Sequence, residues 1–127
     1  MQKRNVTVLY VDDEEFNLFL FKITFEKKYA VYTASSGFDG LKILDEHHTD
    51  IIVVISDMKM PNMNGVEFIK KAREKYDHIF YFILSGFDSN PEIENAIEEK
   101  IIHQFFSKPF EINEIEKAIN TAAANSE

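Results

Sequence analysis

The chain has 127 residues, no cysteine and a formal net charge of −8 at pH 7, with 22 acidic against 14 basic residues. This length suits one domain with its own core, and the lack of cysteine excludes disulfides and thiolate chemistry. The acidic balance argues against direct binding to nucleic acid or to an anionic membrane surface. With no apolar leader and no run long enough to span a membrane, we expect a cytoplasmic protein.

Short β-branched runs alternate with stretches of helical apolar spacing along the whole chain. In chain order, the predicted elements are a strand at 6–11, a helix at about 15–27, a strand at 30–34, a helix at about 38–47, a strand at 51–56, a helix around 66–72, a strand at 79–84, a helix at 91–99, a strand at 104–107 and a helix at about 111–124. The run IIVVIS at 51–56 shows no alternation of apolar and polar residues, which predicts a strand buried on both faces.

This alternation predicts an α/β fold, a doubly wound five-stranded parallel sheet covered by five helices through right-handed crossovers. In such a sheet, ligands bind beyond the carboxyl ends of the strands. Four of the predicted strands end on or run into polar residues: Asp12 and Asp13 after the first, Asp57 after the third, Ser85 after the fourth and Lys108 after the fifth. We expect these side chains to converge on one edge of the sheet.

Three carboxylates on one edge would repel one another, by roughly 4 kcal/mol for a pair about 4 Å apart at an effective dielectric constant of about 20. Such a cluster takes up protons or holds a cation. Carboxylate, carbonyl and water ligands without cysteine or histidine suit a hard ion. Mg²⁺ fits best, with Mn²⁺ as a substitute, because it keeps several waters and leaves room for a phosphoryl oxygen.

Lys108 and Ser85 add the remaining groups of a candidate site. An ammonium group opposite the carboxylates would hold Asp57 ionised and then pair with a phosphoryl oxygen, to which the Ser85 hydroxyl could also donate. A carboxylate nucleophile, a metal, a lysine and a hydroxyl are the groups needed for phosphoryl transfer to an aspartate. Any one of these residues alone would be an ordinary polar residue at a strand end, but together they predict that Asp57 is a phosphoacceptor.

These motifs resemble the receiver domain of two-component response regulators, over the whole chain from 1 to 127. The residues that carry the resemblance are Asp12-Asp13, the stretch DMKMPNMNG that begins at Asp57, Ser85-Gly86 and Lys108-Pro109-Phe110. The loop MPNMNG at 60–65 resembles the corresponding loop of the stand-alone chemotaxis-type regulators. The resemblance implies a flavodoxin-like fold with strand order 2-1-3-4-5 and phosphorelay signalling rather than enzymatic turnover. It also implies Mg²⁺ held by Asp12, Asp13, Asp57 and the backbone carbonyl of Lys59.

The resemblance further implies a conformational switch through Ser85 and Phe105. Many members have a tyrosine where Phe105 stands, three residues before the lysine. Phenylalanine can repack in the same way but has no hydroxyl that could hydrogen-bond to a partner. A partner would therefore recognise the switch only by the changed shape of the surface. The alternative is that Phe105 is only a core residue. The resemblance also implies a cis peptide bond between Lys108 and Pro109.

Two positions that affect the lifetime of the phosphoryl group in this family are occupied here by Lys59 and Phe87. Neither side chain supplies a carboxylate or an amide that would orient an attacking water, and Phe87 could exclude water instead. The sequence therefore predicts slow self-hydrolysis.

The partners implied by the resemblance are a sensor histidine kinase or a histidine phosphotransfer protein, and a downstream protein that the sequence does not identify. The first predicted helix contains FNLFLFKITF at 16–25, which is apolar almost all the way round. The residues that match the core positions of the family are Phe16, Leu20, Phe21 and Phe25. The remaining apolar residues, Leu18, Phe19 and Ile23, are expected to form an exposed docking patch for a partner. The alternative is local variation that neighbouring side chains cover.

The chain ends just past the fifth predicted helix, without room for an output domain. It is therefore either a stand-alone regulator or a receiver taken from a larger protein. A homodimer through the fourth helix, fifth strand and fifth helix would join acidic faces, so it would need compensating lysines such as Lys100 and Lys117.

Two rival functions use the same features. Phosphatases of the haloacid dehalogenase type also have a nucleophilic aspartate at a strand end, but they carry a second aspartate where Lys59 stands here. A receiver fold that signals without phosphorylation usually lacks one of the acidic or lysine residues that this chain retains.

Overall fold

The computed structural model describes residues 6–86 and 90–126. In chain order the elements are β1 (Thr7–Val11), α1 (Glu15–Phe25), β2 (Ala30–Ala34), α2 (Gly37–His47), β3 (Ile51–Asp57), α3 (Gly65–Lys75), β4 (Phe80–Ser85), α4 (Pro91–Glu98), β5 (Gln104–Ser107) and α5 (Ile112–Asn125). The predicted order of strands and helices is confirmed. The third and fourth strands each end one residue later than predicted, so that Asp57 and Ser85 are their last residues.

The five strands form one parallel sheet in the order β2-β1-β3-β4-β5, which confirms the predicted doubly wound topology. The strand order reverses at β1 and β3, where ligands bind in sheets of this kind. In the register of the sheet Val11 lies opposite Ser56, and Ser85 lies opposite Ser107. The residues that follow β1, β3, β4 and β5 are therefore brought to the same edge.

Each face of the sheet has its own core. One core lies under α2, α3 and α4, with side chains such as Leu44, Phe68 and Ile93 fully buried. The other lies under α1 and α5, with Phe21 and Ile115 fully buried. Every residue of β3 except Ile52 is buried, as the absence of alternation predicted for this strand. The central strand is thus held on both sides, which places Asp57 on a rigid support.

The start of α3 is closed by a reciprocal cap next to the end of β3. The Asn64 side chain accepts a hydrogen bond from the backbone N–H of Glu67, and the Glu67 carboxylate accepts one from the backbone N–H of Asn64, each at 2.9 Å. The Asn64 amide also donates to both carboxylate oxygens of Glu92 in α4, at 3.2 and 3.3 Å. These bonds satisfy helix-end donors and join α3 to α4.

The orientation of α1 differs from the prediction for part of its sequence. Phe21 and Phe25 are fully buried as predicted, but Phe16 is 69% exposed and Leu20 is 36% exposed. Leu18, predicted to be exposed, is partly buried against the same core. Positions 18, 21 and 25 lie on one side of a helix with 3.6 residues per turn, and only that side reaches the sheet.

The outer side of α1 therefore carries a different set of apolar residues from the one predicted. Phe19 is 60% exposed and Ile23 is 44% exposed, as expected for these two residues, whereas their role in docking stays a prediction. Together with Phe16 and Leu20 they form a row at helical spacing, which we call the α1 stripe. None of the helices within the described ranges combines the length and apolar content that a transmembrane span requires.

Candidate functional site

Asp12 directly follows β1 and is fully buried. Its Oδ2 accepts a hydrogen bond from the Tyr10 hydroxyl at 2.7 Å, and its Oδ1 accepts one from the backbone N–H of Glu14 at 3.0 Å. A buried carboxylate is costly without such donors. One donor on each oxygen therefore holds the Asp12 carboxylate in a single orientation.

Lys108 brings a positive charge to the two buried carboxylates. Its Nζ lies 2.9 Å from Asp57 Oδ1 and 3.7 Å from Asp12 Oδ2. The Lys108 backbone N–H donates to the Ser85 carbonyl at 2.7 Å, and the Lys108–Pro109 peptide bond is cis. The ammonium group thus reaches the acidic cluster from the end of β5, across the end of β4.

Asp12, Asp13 and Asp57 offer carboxylate oxygens that all lie within 4.8 Å of one another. Asp12 and Asp57 are buried and Asp13 is exposed. In the part of the chain that the structure describes, this is the one group of three or more acidic, histidine or cysteine side chains with such spacing. Three carboxylates against one ammonium group leave a net negative charge, and an all-oxygen donor set of this kind fits a hard divalent cation.

Burial and the charges within the site shift the pKa values of Asp57 and Lys108. Burial raises the pKa of Asp57 above its ordinary value, and the charge of Asp12 adds to this, whereas the hydrogen bond from Lys108 opposes it. Burial lowers the pKa of Lys108, but the hydrogen bond to Asp57 and the charges of Asp57 and Asp12 outweigh that effect and raise it. Lys108 therefore stays charged, and positive charge near Asp57 favours its ionised form.

A cavity of about 490 Å³ opens beside Asp57 at the edge of the sheet. Its wall is formed by the loops after four strands and includes Asp13, Asp57, Lys59, Ser85, Asn90 and Lys108. Ser85 is buried at the end of β4, whereas the Lys59 side chain is exposed. A cavity of this size has room for a phosphoryl group and several waters.

The predicted site residues separate into two groups in the structure. Asp12, Asp13, Asp57, Lys59, Ser85 and Lys108 all meet at one edge of the sheet. Phe105 does not line this cavity; it lies in β5 opposite Ile83 and is partly buried against the core under α2, α3 and α4. Phe87, for which a role in excluding water was predicted, lies outside the described residues.

Sequence reasoning did not identify Tyr10 as part of the site. A signal for it exists, because side chains two residues apart on a strand point to the same side, so residue 10 faces the same way as Asp12. Tyr10 is moreover the one residue of the run VTVLYV with a donor group long enough to reach beyond the strand end.

Comparisons with known proteins agree with this geometry. The family model of the response regulator receiver domain matches residues 8–120. The sporulation initiation phosphotransferase F of Bacillus subtilis is 29% identical over 116 residues, which cover 91% of this chain and 91% of that protein. A crystal structure of a response regulator receiver domain protein from Clostridium thermocellum has a TM-score of 0.85 at 32% identity, covering 94% of this chain and 95% of that one.

Some relatives are much longer than this chain. The hydrogenase transcriptional regulatory protein HoxA of Cupriavidus necator is 31% identical over 110 residues, which cover 87% of this chain but 22% of that protein. The similarity therefore concerns one domain of that regulator. The family match, the parallel sheet and the three-aspartate site with its lysine all lead to one assignment: the chain belongs to the receiver domain family of two-component response regulators.

Proposed function

We propose that this receiver accepts a phosphoryl group on Asp57 from a sensor histidine kinase or a histidine phosphotransfer protein, in a reaction that depends on Mg²⁺. The observation that supports this most directly is the position of the Asp57 carboxylate. Asp57 Oδ1 lies 2.9 Å from Lys108 Nζ, in a cluster with two further carboxylates, on the wall of an open cavity. The carboxylate, the ammonium group opposite it and space for a phosphoryl donor thus lie side by side.

In the proposed reaction, a carboxylate oxygen of Asp57 attacks the phosphorus atom of a phosphohistidine. The new P–O bond forms as the P–N bond breaks, and the histidine leaves with the electron pair of that bond. Lys108 then pairs with a phosphoryl oxygen instead of with Asp57 alone, and the Ser85 hydroxyl donates to another.

Asp12, Asp13 and Asp57 would hold the Mg²⁺ ion, with the Lys59 carbonyl as a further ligand. A bound Mg²⁺ supplies positive charge that offsets the charge on the phosphoryl oxygens. The three carboxylates fit this role because their oxygens already lie within 4.8 Å of one another.

We further propose that phosphorylation changes the conformation through Ser85 and Phe105. Ser85 ends β4, and the Lys108 backbone N–H donates to its carbonyl, so a shift of Ser85 toward the phosphoryl group is linked to the end of β5. Phe105 lies in β5, packs against the core and is only partly buried, so an inward movement would bury more of its ring. Because its ring has no hydroxyl, the downstream protein would detect the change in shape alone.

The α1 stripe is the proposed docking surface for the phosphoryl donor. It differs from the predicted patch because it contains Phe16 and Leu20 in place of Leu18. It adjoins a largely apolar cavity of about 570 Å³ that Leu20, Phe110 and Ile112 line together with Lys108. Changing Phe19 and Ile23 to serine should slow phosphorylation by a histidine kinase that acts on the wild-type chain, while phosphorylation by acetyl phosphate stays at the wild-type rate. Equal rates with both donors would contradict this surface. Homodimerisation near Lys100 and Lys117 stays a prediction.

The experiment that tests the phosphoacceptor is intact-mass measurement after incubation with acetyl phosphate, with and without Mg²⁺. We expect one added phosphoryl group in the wild-type chain, dependent on Mg²⁺, and none in Asp57→Asn. Asp50→Asn is the matched control, because Asp50 is an exposed aspartate that precedes β3, at the opposite end of the strand.

The remaining outcomes point to the rival functions. Turnover of a phosphomonoester without a stable adduct would indicate a phosphatase. No adduct and no turnover, with Mg²⁺ binding intact, would indicate a receiver that signals without phosphorylation.

A further inference from the structure

The hydroxyl of Tyr10 is a polar group inside the core that the proposed reaction does not use. Tyr10 is 1% exposed and lies in β1, which is placed between β2 and β3 in the sheet. Its hydroxyl donates to Asp12 Oδ2 at 2.7 Å, in a hydrogen bond that is buried at both ends. Burial, the hydrogen bond to Asp12 and the nearby carboxylates raise the pKa of Tyr10 above its ordinary value, so the hydroxyl keeps its proton and acts as a donor.

The Tyr10 ring is held in place by an aromatic cluster. It stacks on Phe21 of α1 with ring centroids 4.2 Å apart and planes 7° from parallel. The ring centroid of Phe21 in turn lies 4.6 Å from that of Phe25 and 5.9 Å from that of Phe110, whose plane is at 71° to the Phe21 ring. Stacked and edge-on aromatic contacts of this kind favour one ring position. The hydroxyl therefore reaches Asp12 from a ring whose position α1 and the segment after β5 determine.

The Tyr10 hydroxyl and the Lys108 ammonium group both approach Oδ2 of Asp12. The hydroxyl is 2.7 Å from Oδ2, whereas Lys108 Nζ is 3.7 Å from the same oxygen and 2.9 Å from Asp57. Without the hydroxyl, Oδ2 would attract Lys108 away from Asp57 and could turn out of the position it shares with the other carboxylates. Groups that hydrogen-bond a metal-binding carboxylate orient it in this way and strengthen metal binding.

We propose that Tyr10 is a positioning residue of the phosphorylation site, whose hydroxyl orients Asp12 for a divalent cation and keeps Lys108 on Asp57. This inference rests on the proposed function, because it assigns Tyr10 a part in the same cation-dependent site. It adds a residue that connects the site to α1, whose outer side carries the α1 stripe.

Tyr10→Phe tests the proposal, because it removes the hydroxyl and keeps the ring that stacks on Phe21. We expect the dissociation constant for Mg²⁺, measured by calorimetric titration with the metal alone, to rise about tenfold. We also expect phosphorylation by acetyl phosphate to need correspondingly more Mg²⁺, with a smaller change in rate once the metal saturates.

Tyr81→Phe is the matched control. Tyr81 is fully buried in β4, and its hydroxyl donates to the Tyr76 carbonyl at 2.7 Å, the same distance as in the bond from Tyr10. Its loss should lower stability without changing the affinity for Mg²⁺. The proposal is overturned if Tyr10→Phe binds Mg²⁺ as tightly as the wild-type chain, if Tyr81→Phe weakens binding equally, or if the wild-type chain binds no Mg²⁺.

The titration also separates this inference from the proposed function. It needs no phosphoryl donor, so a chain whose Mg²⁺ affinity falls in Tyr10→Phe but that never becomes phosphorylated would refute the phosphoacceptor and leave the role of Tyr10 in cation binding supported. A chain that is phosphorylated on Asp57, with Mg²⁺ affinity unchanged in Tyr10→Phe, would support the phosphoacceptor and refute the role of Tyr10.

Discussion

Replacing Lys108 by methionine should destabilise the protein in the absence of Mg²⁺. Both ion pairs that the described residues give the buried carboxylates involve this lysine, at 2.9 Å to Asp57 and 3.7 Å to Asp12. Methionine keeps most of the aliphatic chain and removes the charge. Asp57 and Asp12 would then be buried without a counter-charge, which is the costly way to break such a pair.

The magnitude follows from the distances and the partial exposure of the lysine. At an effective dielectric constant of about 20, the gross attractions are about 6 kcal/mol to Asp57 and about 4 kcal/mol to Asp12. The cost of desolvating these charged groups offsets most of this attraction. The Lys108 side chain is also 30% exposed, so water screens it. We expect a net loss of about 2 kcal/mol, or a fall in Tm of about 8 °C for a domain of this size.

The loss should depend on pH. A carboxyl with a pKa raised in the folded state contributes stability that is present below its unfolded pKa and is lost as pH rises through the folded value. Burial already raises the pKa of Asp57, and Lys108 opposes the rise. Without Lys108 the pKa of Asp57 rises further, so the destabilisation should be larger at neutral pH than in mild acid, where the variant can protonate Asp57.

Urea unfolding followed by far-UV circular dichroism measures this effect. Saturating Mg²⁺ should restore part of the stability of Lys108→Met, because the cation supplies positive charge to the same carboxylates. Lys75→Met is the control, since Lys75 pairs with Asp45 at 3.4 Å on the surface, with side chains 62% and 48% exposed, and its loss should not be measurable. A Lys108→Met variant as stable as the wild-type chain without Mg²⁺, or a Lys75→Met variant that loses as much stability, would contradict this role of the buried ion pairs.

Three further predictions concern the end of β3 and the start of α3. Gly65→Ala should lower the free energy of unfolding by about 1–3 kcal/mol, because the new Cβ would collide with the Asp57 carbonyl and lie 2.7 Å from Ile83 Cδ1; urea unfolding at wild-type values would contradict this. Asn64→Ala should cost about 1 kcal/mol through loss of its cap with Glu67, whereas Asn64→Ser should retain most of the stability in the same assay. Asp57→Asn should raise Tm in the absence of Mg²⁺, because burial disfavours the ionised carboxylate, and should gain less stability from added Mg²⁺ than the wild-type chain; a lower Tm would count against the electrostatic account.

Most of the candidate site could be predicted from the positions of polar residues at strand ends. Asp12, Asp57 and Ser85 each come at the end of a β-branched or aromatic run, and such runs alternate with helices. Parallel strands joined by helices bring their carboxyl ends to one edge, so the strand pattern alone places residues together that are far apart in the chain. Lys108 could be placed by the same reasoning, because the fifth strand runs into it.

The orientation of α1 could not be predicted in the same way. Its sequence is apolar almost all the way round the helix, so the sequence pattern does not show which side faces the sheet. Two residues expected in the core, Phe16 and Leu20, are exposed, and Leu18 is partly buried instead. The rotation of the helix about its axis is decided by how its side chains pack on β1 and β2, which depends on contacts that form only in the folded chain.

By itself, the sequence determined the alternation of strands and helices, and with it the doubly wound sheet and the residue types at its functional edge. These follow from local periodicity and from the geometry common to all parallel sheets. Only the tertiary structure decided that Tyr10 donates a hydrogen bond to Asp12 and that Lys108 forms ion pairs with both Asp12 and Asp57. These interactions depend on side-chain distances of a few ångströms, which arise when both cores pack against the sheet and which no local pattern encodes.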